Sequence, residues 1–197
     1  MYRRFRLVAA CSLLALFAGV VRSDDKAPST PYYPLAVGST WSYRAGDNHF
    51  VLKVAEVKTV GGAARAKLDL IINGKVISHE HVGVTKEGVV RYTFEGKEAK
   101  PPIDFLRLPP KAGTTWKVES KVDGQALKGT FKQGEEEVKV PAGTFKAVTV
   151  TGQDIEANGV KLSLTYYFAE KVGMVKQVLE MAKHKIVIEL ERYEPGK

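Results

Sequence analysis

The feature of the sequence that most constrains its fold is an internal repeat. The segment PLAVGSTW at 34–41 recurs as PPKAGTTW at 109–116, an offset of 75 residues. Two further landmarks recur at an offset of 85: Asn73-Gly74 as Asn158-Gly159, and Gly88 as Gly173. Such a repeat predicts a duplicated supersecondary unit whose two copies, about 34–95 and 109–181, bury each other's apolar faces.

Alternation of apolar and polar residues with a period of two predicts β-strands along most of the chain, for example at 162–168 and 186–190. The Asn-Gly pairs within such alternation predict tight hairpins, because both residues tolerate a positive φ. We therefore predict an all-β protein. Each copy forms an antiparallel meander of about five strands, at 40–95 and 115–181, and a final strand follows at 185–193.

A dozen strands in two similar halves are compatible with a sandwich, a closed barrel or a curved half-barrel. The segment 101–110 between the copies begins and ends with a pair of prolines. Because proline is rare in central strands, we expect this linker to lie across the sheet or to plug one end. The favoured architecture is a curved sheet whose concave face is filled by the linker.

The N-terminus predicts export. Three arginines within 1–6 precede an apolar run at 7–21, and the chain turns polar at Asp24. This is the pattern of a secretory signal peptide, cleaved between Ser23 and Asp24. The expected organisation is a signal peptide at 1–23, a flexible leader at 24–31 and one β domain at 32–197. Cys11 ends a sequence similar to a bacterial lipobox, so a lipid-anchored form is the alternative.

Composition excludes several classes of function. Cys11 is the only cysteine of the chain, so the mature protein is predicted to have neither disulfides nor thiolate chemistry. Removal of 1–23 takes away four arginines and no acid, which lowers the net charge from +8 to +4. The remaining lysines alternate with acids, whereas nucleic-acid binding requires clustered basic residues. No nucleic-acid partner is expected.

Three segments carry a resemblance to known proteins: YPLAVGSTWSY at 33–43, VPAGTFKAV at 140–148 and YFAEKVGMVK at 167–176. Together they resemble a family of exported bacterial β-proteins known as TapB-like or of unknown function. The resemblance implies an extracytoplasmic β-domain without an established activity. The predicted architecture is also similar to that of periplasmic half-barrel lipoprotein carriers.

His79 and His81 are the residues best placed to bind a metal ion. At i and i+2 on a strand both side chains project from one face, which suits two ligands of one zinc or copper ion. Alignment of the repeats places them on the predicted inward face, and a third ligand would have to be His49 or His184. Alternatively, they belong to an ordinary polar strand or are simply hydrogen-bonded.

A set of aromatic residues is expected on the inner face. Its members are either core or the wall of a groove for an apolar ligand, and the recurrence of tryptophan in both copies favours core. The residues of this possible apolar ligand face are Trp41, Tyr43, Trp116, Tyr166 and Phe168.

No nucleophile elbow, zinc-protease motif, phosphate-binding loop or dinucleotide fingerprint occurs in the chain. We therefore expect no enzyme activity and no cofactor. The predicted function is a non-catalytic binding or interaction module of the cell envelope, with an unknown protein or an apolar ligand as partner. The alternatives are a periplasmic carrier of a lipid or other apolar ligand and a His-based metal-binding protein. Membrane contact is expected only during export, unless Cys11 is lipidated.

Overall fold

The computed structural model describes residues 29–182 and 184–197, and within them every regular element is a β-strand. The predicted signal peptide, Cys11 and residues 24–28 of the predicted leader lie outside the described residues. In the described part of the chain no helix has the length and apolar character needed to cross a membrane.

Two short strands at the N-terminus pair with each other, and the remaining twelve form a closed antiparallel barrel. The short pair is β1 (Ser29–Thr30) and β2 (Tyr33–Pro34). The barrel strands are β3 (Thr40–Ala45), β4 (Asn48–Val60), β5 (Ala63–Ile72), β6 (Lys75–Val84), β7 (Gly88–Phe94), β8 (Lys97–Arg107), β9 (Thr115–Val122), β10 (Gln125–Val140), β11 (Gly143–Ala157), β12 (Val160–Ala169), β13 (Gly173–Met181) and β14 (His184–Glu194).

Each barrel strand pairs with the next one along the chain, and β14 pairs with β3 to close the ring. The all-β prediction is confirmed, as are five strands in 40–95, five in 115–181 and a final strand after them. The hairpin prediction is also confirmed, since Asn73 and Asn158 have φ of 51° and 49°, which a type I′ turn requires. The duplication of the two halves stays a prediction.

The prediction for the linker was wrong. Residues 97–107 form β8, a strand of the barrel wall, instead of lying across the sheet. On one side β8 pairs with β7 along most of its length, whereas its ladder to β9 has only two residue pairs, at Ala99 and Lys100. Pro101 and Pro102 follow immediately. Their missing N–H groups therefore lie where the barrel has few ladder bonds, so the strand tolerates them.

Side chains bridge the interrupted seam between β8 and β9. The Ser120 hydroxyl donates a hydrogen bond to the carbonyl oxygen of Pro101 at 2.6 Å, and the Trp116 indole Nε1 donates to that of Asp104 at 2.9 Å. Both donors belong to β9 and both acceptors to β8. These bonds satisfy backbone carbonyls that the ladder leaves unpaired, as buried polar groups require.

The N-terminal segment closes one end of the barrel. Tyr33, only 3% exposed, stacks on Trp41 with ring centroids 5.8 Å apart and meets Phe105 and Phe168 edge-on. Leu35 beside it is fully buried. The plugging role predicted for the linker therefore belongs to this segment, and we call this end of the molecule the closed end.

Candidate functional site

The strand register decides which side chains enter the barrel. Leu68 on β5 and Val82 on β6 are fully buried core residues, so they point inward. Leu68 pairs with Glu80, and Val82 pairs with Arg91 on β7. Directly paired residues share a face of the sheet, so Glu80 and Arg91 also point into the barrel.

The main cavity occupies the end of the barrel opposite the closed end, and its volume is about 380 Å³. Three hairpin turns surround its mouth, at 95–96, 123–124 and 158–159. Seven strands, β7 to β13, contribute to the side chains that line it, and most of these side chains are apolar. The apolar ones are Phe94, Ile103, Phe105, Val118, Val122, Ala126, Leu127, Phe131, Ile155, Ala157, Leu162, Leu164, Tyr166 and Leu179.

A second cavity of about 150 Å³ adjoins the first. Its wall includes Leu68, Leu70 and Ile188, and it reaches Tyr33 of the closed end. The two cavities share the wall residues Arg91, Phe94, Glu95, Phe105 and Gln177. They are therefore neighbouring compartments of one barrel interior.

A polar group lies between the two compartments. Arg91 Nε is 2.6 Å from Glu80 Oε2, and Arg91 Nη1 is 3.4 Å from the Tyr166 hydroxyl. The guanidinium also lies over the Phe105 ring, 4.8 Å from its centroid. The side chains of Arg91 and Glu80 are only 15% and 13% exposed. Burial by itself lowers the pKa of Arg91, but Glu80 and Tyr166 raise it, and the net direction is upward, so the guanidinium stays charged.

Part of the hydrogen-bonding capacity of this group is unused. Arg91 Nε is buried and has no acceptor in hydrogen-bond geometry, although Glu80 lies close enough for an ion pair. The Gln177 amide, which borders both cavities, makes no side-chain hydrogen bond to the described residues. Polar donors therefore face an apolar space from within the barrel.

Apolar side chains are exposed around the mouth. Four hairpins at this end of the barrel carry them: β5–β6, β7–β8, β11–β12 and β13–β14. Together we call these side chains the apolar rim. Its members are Ile72, Val76, Ile77, Phe94, Val160, Met181 and Ile186, with exposures between 38% and 59%. Val37 and Val60 are the other large apolar residues exposed in the described chain. The apolar character of the cavity thus continues to the surface.

The structure places His79 and His81 on the outer face of the barrel, so the prediction of an inward face was wrong. They pair with Asp69 and Lys67, which form an ion pair at 3.1 Å outside the barrel. The cause is a bulge at Ile77 that adds one residue after the hairpin turn. A slip of one residue moves every following side chain to the other face.

The two imidazoles are close, with ring centroids 5.6 Å apart, and His79 also borders the smaller cavity at the rim. His81 Nδ1 lies 2.9 Å from the Thr93 hydroxyl. Burial, and then the neighbouring His79, lower the pKa of His81. In 29–182 and 184–197 no group of three or more His, Cys, Asp or Glu side chains is arranged to hold a metal ion. Metal binding by the pair stays a prediction.

Among the five aromatic residues predicted for an apolar ligand face, only Tyr166 lines a cavity. Trp41, Tyr43 and Phe168 belong to the closed end, where they are at most 1% exposed, and Trp116 bridges the seam between β8 and β9. The Tyr43 hydroxyl donates to the carbonyl oxygen of Met174 at 2.7 Å. These four side chains therefore pack within the wall and core, where Trp41, Tyr43 and Trp116 also donate hydrogen bonds to backbone carbonyls.

Sequence reasoning missed most of the cavity wall, including its polar group. One signal was present: Arg91 stands two residues after Val89, at an inward position of an otherwise apolar alternation. Glu80 stands two residues before Val82 in the same way. Charged residues at core positions are rare unless paired, so two of them on neighbouring predicted strands indicate a buried pair.

Comparisons with known proteins support the fold and nothing finer. The chain matches no family model and no curated protein, so its resemblance to the TapB-like family stays a prediction. Its fold is similar to that of a protein from Bacteroides fragilis, described as a candidate exported protein with a YmcC-like fold. The TM-score is 0.50 and the identity 15%, over 83% of this chain and 98% of that one. A candidate lipoprotein from Parabacteroides distasonis also has a TM-score of 0.50, at 12% identity and the same coverage.

Proposed function

We propose that this protein is an exported, non-catalytic carrier that binds a lipid or another apolar ligand in its barrel. The observation that carries the proposal is the main cavity, an apolar space of about 380 Å³ inside the barrel. Ile103 and Phe105 of the linker form part of its wall and leave it unfilled. Among the functions predicted from sequence, the cavity favours the carrier over a simple interaction module.

The size of the cavity supports a ligand over a packing defect. Protein interiors are close-packed, and empty space costs about 24 cal/mol per Å³ in core cavities. The main cavity measures about 380 Å³ and opens at its mouth, so it is much larger than the voids that packing leaves and is accessible to a ligand. Ligand pockets typically measure about 300–1,000 Å³ and are mostly apolar, as this one is.

The barrel geometry supports the same conclusion. Eight strands enclose an interior that side chains just fill, whereas larger barrels leave internal space. Here twelve strands form the wall, and the aromatic core fills only the closed end. The apolar rim gives a ligand an apolar path between the surroundings and the cavity mouth.

Export is part of the proposal. Its support is the predicted signal peptide at 1–23 together with a fold shared with proteins described as a candidate exported protein and a candidate lipoprotein. We therefore place the carrier outside the cytoplasm, where apolar molecules have to cross water between membranes.

A probe-binding experiment tests the proposal. The protein is expressed from the full-length sequence, purified and titrated with diphenylhexatriene, an uncharged fluorophore that brightens in apolar surroundings. Leu127 lines the main cavity, whereas its neighbour Lys128 is exposed. We expect Leu127→Trp, which fills the cavity, to lower probe binding at least tenfold, and the matched variant Lys128→Trp to bind like the wild type. Absence of saturable binding by the wild-type protein would refute the carrier function.

A further inference from the structure

The polar group at the centre of the barrel has a composition that discriminates between ligands. Arg91 and Gln177 border both compartments. The other polar residues that line the main cavity lie in or next to the turns at its mouth, namely Glu95, Lys97, Asp123, Gln125 and Asn158. A ligand that fills the apolar space must therefore bring its own polar end either to this group or to the mouth.

The group offers donors. A guanidinium has five N–H donors, and the polar side-chain contacts of Arg91 in the described chain are the Glu80 carboxylate and the Tyr166 hydroxyl. Arg91 Nε has no aligned acceptor. The Gln177 amide adds two more N–H donors without a protein partner among the described residues. An acceptor atom of the ligand would give these donors a hydrogen-bond partner inside the largely apolar barrel.

The charge of the group selects among acceptors. Glu80 already neutralises Arg91, and both side chains are largely buried. An ionised head placed beside this pair would leave one uncompensated negative charge in an apolar interior, which is strongly unfavourable. An uncharged carbonyl accepts the same hydrogen bonds without that cost.

We propose that the cavity binds an acyl ester or a similar amphiphile head-first, with its uncharged carbonyl on Arg91 and Gln177 and its chain in the main cavity. The assignment rests on the carrier function proposed above. The proposed ligand has one uncharged head that accepts hydrogen bonds and one apolar chain. A free fatty acid has the same acyl chain as such an ester, but its head is ionised at neutral pH and lacks the esterified alcohol.

The test compares two probes with the same twelve-carbon chain, 1-monolauroylglycerol and laurate, at pH 8. Each displaces diphenylhexatriene from the full-length expressed and purified protein. We expect the wild-type protein to prefer the ester by about tenfold or more, because the ionised head is excluded. Gln177→Leu removes donors but keeps the ion pair, and we expect it to weaken ester binding about three- to tenfold, measured relative to the diphenylhexatriene affinity of the same variant.

A charge variant makes the test sharper. Glu80→Gln leaves Arg91 without its counter-ion, so laurate should gain affinity relative to the ester and the preference should shrink or reverse. If this variant does not fold, Gln177→Leu still decides the question. Equal binding of the two probes by the wild-type protein, or no effect of Gln177→Leu on the ester, would overturn the head-group assignment. If the wild-type protein does not bind diphenylhexatriene at all, the carrier function itself is refuted instead.

Discussion

Truncation of Tyr33 tests whether the N-terminal segment closes the barrel. Its ring is 3% exposed and makes three aromatic contacts, with centroid distances of 5.8, 5.9 and 6.0 Å to Trp41, Phe105 and Phe168. Replacing a buried aromatic side chain by alanine costs about 3–5 kcal/mol. In a domain of this size about 1 kcal/mol corresponds to 2–4 °C in Tm, so we expect Tyr33→Ala to lower the Tm by roughly 10 °C.

Two control variants show whether the loss of stability comes from the aromatic ring of Tyr33. Tyr33→Phe keeps the three ring contacts and should stay within about 1 kcal/mol of the wild type. Val37→Ala, at an exposed position of the same segment, should cost about 0.5 kcal/mol or less. Urea unfolding followed by far-UV circular dichroism measures all three, since it does not depend on the fluorescence of nearby Trp41. A loss of less than about 1 kcal/mol for Tyr33→Ala would show that the segment is not a plug.

Three further predictions concern buried polar groups. Burial raises the pKa of Tyr43 well above its usual 10.0, so the folded state should lose stability as the pH rises above 10, where only the unfolded chain ionises. Alkaline unfolding by circular dichroism should show a smaller loss for Tyr43→Phe. Ser120→Ala removes the 2.6 Å bond to Pro101, and urea unfolding should report a cost of about 1 kcal/mol; no change would argue against the bridged seam. Arg91→Met alone should cost about 3–5 kcal/mol because Glu80 is left unpaired, whereas the double variant with Glu80→Leu should recover most of that loss. Simple additivity in this cycle would contradict the buried pair.

The strand pattern and turns could be predicted because their causes are local. A period of two needs only neighbouring residues, and an Asn-Gly pair adopts a positive φ by itself, as Asn73 does. Registers beyond the turns were less predictable. One extra residue at Ile77 reverses the faces of the residues that follow, and no local pattern distinguishes that bulge from a regular strand.

The linker shows the same limit. Its prolines argue against a central strand when each is considered alone. In the barrel, β8 has an extended ladder only with β7, and β9 meets its other side with hydroxyl and indole donors from Ser120 and Trp116. The acceptability of Pro101 and Pro102 therefore depends on neighbours more than ten residues away along the chain.

The amino-acid sequence by itself determined the strands, the tight turns and the all-β class of this protein, because these depend on side-chain alternation and backbone preferences over a few residues. The tertiary structure decided that the twelve strands close into a ring, that Tyr33 fills one end, and that Arg91 meets Glu80 inside. The cavity, too, is decided by the tertiary structure. Its volume is what remains when the number of strands, their register and the position of the plug are combined, and none of these is set by neighbouring residues alone.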